Sequence, residues 1–194
     1  MADKTAESTH SAYISMLITY CTQQKFNSMV TIRKAISNDG AELVKLFNAL
    51  DQETEFMLME PGERKLSVGE QVGIINASSN SKSKALFVAS EENVIVGFLG
   101  GSGGTANKNK HSIHIAMGIL APFWGKGIGG QLLQTFIAWA TENQFHRIEL
   151  TVIENNTKAR SLYKNTGFET EGIKRDSLKI NGHYVNEHYM AKLI

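Results

Sequence analysis

The 194-residue chain has a single cysteine, Cys21, so no internal disulfide can form, and nothing near that residue has metal-ligand spacing. A lone thiol of this kind fits a reducing cytoplasm. Charge of one sign is also missing: 20 basic residues stand against 19 acidic, for a formal charge of +1. A nucleic-acid-binding surface would show a clustered basic excess, so the balance argues against one. There is no long hydrophobic run. The apolar stretch from Ala12 to Cys21 is too short to span a bilayer. Asp3 and Glu7 stand in the region that a basic secretory leader would need. The expectation is a cytoplasmic protein with neither nucleic acid nor membrane as partner. No internal repeat is visible. What remains, 42% hydrophobic and 20% charged residues, is the make-up of a folded domain with a sizeable core.

Residues 1–28 read as an appendage: a docking helix, a disordered tail, or sequence upstream of the true start, since Met29 directly precedes the first convincing strand. From there, residues 29–194 read as one α/β domain with a mixed sheet. Val30–Ala35 alternates like a half-buried strand. Leu43, Leu46, Phe47 and Leu50 recur at helical spacing after the capping candidates Ser37, Asn38 and Asp39. A polar, acidic connection from Asp51 to Arg64 follows. Residues 67–79 predict a second helix on Val68, Val72 and Ile75. Two strands, Ala85–Ser90 and Val94–Gly101, precede a glycine-rich stretch over Gly100–Gly104 that reads as a flexible hairpin connection. The next strand, Ser112–Leu120, loses its alternation near Gly118, which predicts a bulge at Met117–Ile119. A helix over about Gly127–Asn143 carries the apolar stripe Ile128, Leu132, Leu133, Phe136, Ile137 and Ala140. Then come a strand over Arg147–Ile153, a short helix over Asn156–Asn165 with Gly167 at its end, and a hairpin of two strands turning at Asn181-Gly182.

The chemistry-bearing segment is Gly125-Lys126-Gly127-Ile128-Gly129-Gly130. A strand, a glycine turn and a helix in that order make an anion site, because the first helical N–H groups lack internal partners and the helix dipole is positive there. Glycines let backbone approach phosphate oxygens without a Cβ in between, and Lys126 adds a cation. Three readings fit. One is the dinucleotide fingerprint Gly125-x-Gly127-x-x-Gly130, although it sits late in the chain and before a single βαβ-like unit. Another is a turn that needs glycine for geometry alone. The third follows from the family that the flanking residues resemble. A Walker loop is excluded, since no Gly-Lys-Ser/Thr occurs.

The run Trp124-x-x-Gly127-x-Gly129 resembles the Arg/Gln-x-x-Gly-x-Gly/Ala motif of the GNAT superfamily, the Gcn5-related N-acetyltransferases, with Trp124 in place of the usual Arg or Gln. A second block, Asn156, Ala159, Leu162, Tyr163, Gly167 and Phe168, is similar to the family's Asn-x-x-Ala-x-x-Leu-Tyr-x-x-x-Gly-Phe segment. The chain's ending, Glu171-Gly172 and Arg175 followed by Asn181-Gly182, Tyr184 and Met190, resembles the branch of ribosomal-protein and spermidine acetyltransferases.

The resemblance implies a mostly antiparallel mixed sheet flanked by helices, with strands 112–120 and 147–153 splaying into a V-shaped cleft. It implies acetyl-CoA as cosubstrate and no metal. The pyrophosphate would lie on the backbone of Trp124 through Gly130. Backbone at Met117, Gly118 and Ile119 would pair with pantetheine, and Asn156 and Ala159 would flank it. Asn156 is equally suited to capping its helix. Tyr163 aligns with the family's general acid. Its phenol, with an ordinary pKa of about 10, is protonated at neutral pH. For the base, Glu149 and His114 stand on the two cleft strands. Glu53, Glu55 and Glu60 occupy the loop where the family's acceptor enters. The expected activity is acetyl transfer to a primary amine (a protein N-terminus, polyamine, amino acid or antibiotic) by direct attack in a ternary complex. A non-catalytic acyl-CoA-binding module is the alternative, and a homodimer is common among such proteins.

Overall fold

Alternation of period two and stripes of period 3.6 become seven strands and four helices in the computed structural model, which describes residues 30–194. The strands are β1 (Thr31–Lys34), β2 (Lys84–Glu91), β3 (Val94–Gly103), β4 (Ser112–Ile119), β5 (Arg147–Ile153), β6 (Glu169–Ile180) and β7 (His183–Leu193). The helices are α1 (Gly40–Glu53), α2 (Val68–Ser79), α3 (Ile128–Glu142) and α4 (Thr157–Asn165). Residues 1–28, including Cys21 and the apolar run 12–21, lie outside the described residues. Among the described residues, no helix is long and apolar enough to cross a membrane.

One sheet runs in the order β1-β2-β3-β4-β5-β7-β6. Every neighbouring pair is antiparallel except β4 and β5, which are parallel. That exception creates the cleft. The β4–β5 ladder has three rungs, Ser112↔Arg147, Ile113↔Ile148 and His114↔Glu149, and then ends. Beyond it β4 continues along β3 as far as Ile119, and β5 continues along β7 as far as Ile153. The two strands diverge as a V whose apex is the His114–Glu149 rung.

Helices cover the two faces of the sheet. A Cβ on Gly118 would point at Leu50 of α1, whereas one on Gly101 would run into Phe136 of α3. α1 and α3 therefore pack on opposite faces. The expected stripe of α1, Leu43, Leu46, Phe47 and Leu50, is buried in full. On α3, Ile128, Leu132, Leu133, Phe136 and Ala140 are buried, and Phe136 joins Phe87 and Trp139 in an aromatic cluster at 6.0 and 5.3 Å. Each of these large side chains contributes about 2–3 kcal/mol by leaving water. α2 begins at a capping box in which Ser67 accepts from Glu70 N–H, but its buried line is Gln71, Ile75 and Ser78. Val68 stays exposed, and Val72 meets the start of α1 instead, where a Cβ on Gly40 would lie 2.5 Å from it.

Two expectations are corrected. Gly100 to Gly103 do not form a flexible connection; they are the end of β3, paired with both neighbours (Leu86↔Gly100 and Gly100↔Ala116, for example). Glycine is required there by packing: a Cβ on Gly101 would come within 2.8 Å of Phe136 Cε2, and one on Gly103 within 3.0 Å of the Phe145 ring. Nor is there a bulge at Met117–Ile119, since the β3–β4 register runs unbroken from Gly97↔Ile119 to Gly103↔Ile113. Alternation fails at Gly118 because a Cβ there would sit 2.7 Å from Leu50 and 2.9 Å from Phe98. The bulges fall elsewhere, at Val96 of β3 opposite Ala89 and Ser90, and twice in β6.

Candidate active site

The glycine turn joins β4 to α3 on the α3 face of the sheet. Gly125 and Gly127 both hold left-handed backbone, at φ 74° and 78°, which side-chain-bearing residues adopt at a cost. Nothing lies within 4 Å of a Cβ built on either of them, or on Gly130, so the backbone there faces open space. Gly127 caps α3, whose first-turn N–H groups then point outward without helical acceptors. Gly129 differs: its Cβ would lie 2.6 Å from Leu162 of α4, so its small size lets the start of α3 sit against α4. Ile128 is buried and anchors the turn.

Trp124 takes the motif's first position, and its indole Nε1 donates to the Ile119 carbonyl at 2.6 Å. That bond ties the end of β4 to the turn. The ammonium of Lys158, from the first turn of α4, stands 4.9 Å from the Trp124 ring, and that of Lys126 stands 4.6 Å from the Phe123 ring. Two cations and a row of outward N–H groups thus meet on one patch, which fits a polyanion. Met117 and Ile119, partly buried against the core, line this side of the V.

α4 supplies the second motif block. Asn156 caps it, with Oδ1 accepting from Ala159 N–H at 3.1 Å, and Ala159 packs against the core. The helix ends as expected at Gly167 (φ 88°), with Phe168 N–H donating to the Tyr163 carbonyl at 2.9 Å. Tyr163 is 7% exposed and packs edge-on to Phe168 at 5.7 Å. Burial pushes its phenol up to about 12, because the charged form would be stranded away from water.

The other face holds the acidic groups. By the alternation of β4, His114 lies on the face of Gly118, the α1 face, and Glu149 is its cross-strand partner. Glu149 is not a free carboxylate. Arg147 Nε donates to it at 2.7 Å, and the Tyr189 phenol of β7 lies near enough to interact with it. Arg147 in turn grips Glu171 of β6 with both guanidinium nitrogens, Nη1 to Oε1 at 2.7 Å and Nη2 to Oε2. The hydrogen bonds to Glu171 and then Glu149 raise the Arg147 pKa further, and Arg147 holds Glu171 below the usual carboxylate range. Burial, then the interaction with Glu149, raises the Tyr189 phenol.

The acidic loop does structural work. Glu53 Oε2 accepts from Ala121 N–H at 3.0 Å, and Glu55 Oε1 accepts from Asn181 Nδ2 at the β6–β7 turn at 2.5 Å. Glu60 N–H donates to Glu63 at 2.9 Å. Buried Asp51, still inside α1, closes the loop on Arg64 with bonds of 2.6 and 3.0 Å. Among the described residues, no group of three or more potential ligands could hold a metal ion.

The structure thus gathers the glycine turn, Met117, Ile119 and the α4 block on one face of the V and His114 with Glu149 on the other. Sequence reading missed Arg147, Tyr189 and the reach of Glu171. Alternation along β5 does put Arg147 on the face of Glu149. The sheet order that brings β6 within reach of β5 across β7 leaves no such trace.

Comparison with known proteins agrees with this geometry. The sequence profile of the Acetyltransferase (GNAT) family matches residues 44–168. The chain belongs to that family. It is 28% identical to a GNAT-family acetyltransferase from Streptococcus pneumoniae, with a TM-score of 0.83 over 86% of this chain and 100% of that one. YncA of Salmonella typhimurium, solved with its cofactor acetyl-CoA, shares the fold at a TM-score of 0.76 and 18% identity, over 84% of this chain and 93% of that one. The L-amino acid N-acetyltransferase AaaT of Escherichia coli (strain K12) is 36% identical over 69 residues, 35% of this chain. That match spans only 43% of the length of AaaT.

Proposed function

We propose that this chain is an acetyl-CoA-dependent N-acetyltransferase acting on a primary amine by direct attack in a ternary complex. One observation carries the reading. The β4–β5 ladder stops at His114–Glu149, leaving a slot with an anion cradle on one face and a carboxylate on the other. Donor and acceptor would then approach from opposite sides and meet at the apex.

The cradle fits the cosubstrate because the space above Gly125, Gly127 and Gly130 is open and Lys126 and Lys158 stand beside it. Backbone N–H groups of residues 125–130 would hold the pyrophosphate. The main chain of Met117, Gly118 and Ile119, with Asn156 and Ala159, would border the pantetheine arm. Acetyl-CoA supplies an activated thioester carbonyl. Glu149 takes a proton from the acceptor ammonium, directly or through water, leaving a neutral amine to attack. Tyr163 donates its proton to the departing sulfur. The N–C bond forms as the C–S bond breaks.

Candidate acceptors are a protein N-terminus, a polyamine, an amino acid or an antibiotic, and the relative AaaT is named for L-amino acids. An acceptor screen with thiol detection tests the reading, alongside calorimetry with acetyl-CoA. Expected are acetyl-CoA binding and amine-dependent thiol release. Binding with no release across a broad amine panel would instead indicate a non-catalytic acyl-CoA module. Stabilisation by NAD but not by CoA would overturn the cradle itself.

A further inference from the structure

Arg147 and Glu171 have no part in the bond-making steps, yet their arrangement is specific. Glu171 belongs to β6, which is separated from β5 by β7. The β6–β7 register slips between Thr170 and Gly172, which leaves Glu171 as the extra residue of a bulge. From there its carboxylate reaches across β7 onto the guanidinium. The result is the two-pronged planar contact by which arginine takes a free carboxylate.

The two carboxylates on Arg147 are unequal. Glu149, 22% exposed, is the inner one, whereas Glu171, 43% exposed, is the outer one. Glu171 also lines a hollow of about 420 Å³ with Gly172, Ile173, Lys174 and Tyr189.

We infer that Arg147 is the receptor for an acceptor carboxylate, that Glu171 is its internal stand-in, and that the acceptor is a free α-amino acid. This rests on the N-acetyltransferase reading. The amino acid enters the hollow and its carboxylate replaces Glu171 on Arg147. Its ammonium, one carbon away, lies against Glu149, which is already bonded to Arg147 at 2.7 Å. A zwitterion with adjacent opposite charges matches an adjacent Arg–Glu pair. Ile173 and Tyr189 offer surface to the side chain. A simple amine gains nothing from Arg147, but it does not leave that residue unpaired, because Glu171 stays in place. The discrimination is therefore about ten- to a hundredfold, below the roughly 10⁴-fold seen where a missing group leaves a buried partner bare.

The test uses L-leucine, its methyl ester and isoamylamine, and L-lysine beside cadaverine, in steady-state thiol release. Calorimetry of the same compounds is run on the protein with and without CoA. Each amino acid should exceed its ester or amine counterpart about tenfold or more in kcat/KM. Glu171→Ala should lower KM for the amino acids severalfold, by removing their competitor, and so widen their kcat/KM advantage over isoamylamine. Arg147→Lys should raise KM for the amino acids about tenfold and cut their kcat/KM advantage over the amines severalfold. Amines or esters that match the acids, or a Glu171→Ala variant that weakens both classes alike, would overturn the receptor. The two readings fail separately. Amino-acid binding that depends on Arg147 without thiol release supports the receptor and removes the transferase. Thiol release confined to polyamines does the reverse, and absence of amino-acid binding in calorimetry also removes the receptor.

Discussion

Tyr163→Phe removes one oxygen from a residue whose ring is fixed against Phe168 at 5.7 Å, so the fold should survive with a change of about 1 kcal/mol or less. Its phenol is pushed up to about 12 by burial. At pH 8 roughly one such phenol in ten thousand is ionised, so the proton needed by the departing sulfur is present on nearly every molecule. A positioned general acid is worth about 10²–10⁴ in rate, and the variant should lose kcat within that range. Acetyl-CoA affinity should stay within about twofold, because the cradle is built on other residues. Steady-state thiol release gives the first quantity and calorimetry the second. The pH dependence has a definite sign. The raised phenol favours the neutral form in the fold, so its contribution to stability is whole below pH 10 and is lost between pH 10 and about 12. The loss has an upper bound of about 3 kcal/mol and should vanish in the Phe variant. An unchanged kcat in Tyr163→Phe would refute the acid role. So would a wild-type decline centred near pH 9 that the variant abolishes, because it would place the titration below the range set by burial.

Gly127→Ala adds a Cβ to left-handed backbone with open space around it, so it should cost about 1–2 kcal/mol by strain and also weaken acetyl-CoA binding, read by melting temperature and calorimetry. Gly129→Val should destabilise by about 1–3 kcal/mol through collision with Leu162, and Leu162→Ala in the same chain should recover part of that loss in denaturant titrations. Asp51→Asn breaks a buried contact to Arg64 and should cost about 3 kcal/mol, lowering the melting temperature by roughly 10 °C. Trp124→Phe keeps the ring beside Lys158 but loses the bond to Ile119, so about 1 kcal/mol should disappear from thermal stability.

The elements were legible where one interaction decides them. The α1 and α3 stripes, the Asn181-Gly182 turn (φ 49° and 82°) and the Gly167 helix end all follow from periodicity or local backbone chemistry. The misreadings involve glycine. At Gly101, Gly103 and Gly118 the small residue answers a side chain far away in sequence, Phe136, Phe145 or Leu50, and only the folded packing supplies that partner. The same holds at the site. Gly125 and Gly127 could be read locally, but Glu171 meets Arg147 only because the sheet order sets their strands on either side of β7, which no alternation pattern records.

The short parallel ladder has one more consequence. Leu120 N–H donates to Val96, so by alternation the peptide groups of Ile119 face the gap, and the Trp124 indole occupies the carbonyl there. The protein therefore carries two sticky strand edges inside itself, facing each other across the V and kept apart by the divergence of their outer partners. An amide-bearing ligand that slid between them would act as a short eighth strand. Amide hydrogen exchange at Met117, Ile119 and the distal half of β5 should then be fast in the free protein and slow sharply when the slot is filled, turning two hinged wings into one continuous sheet.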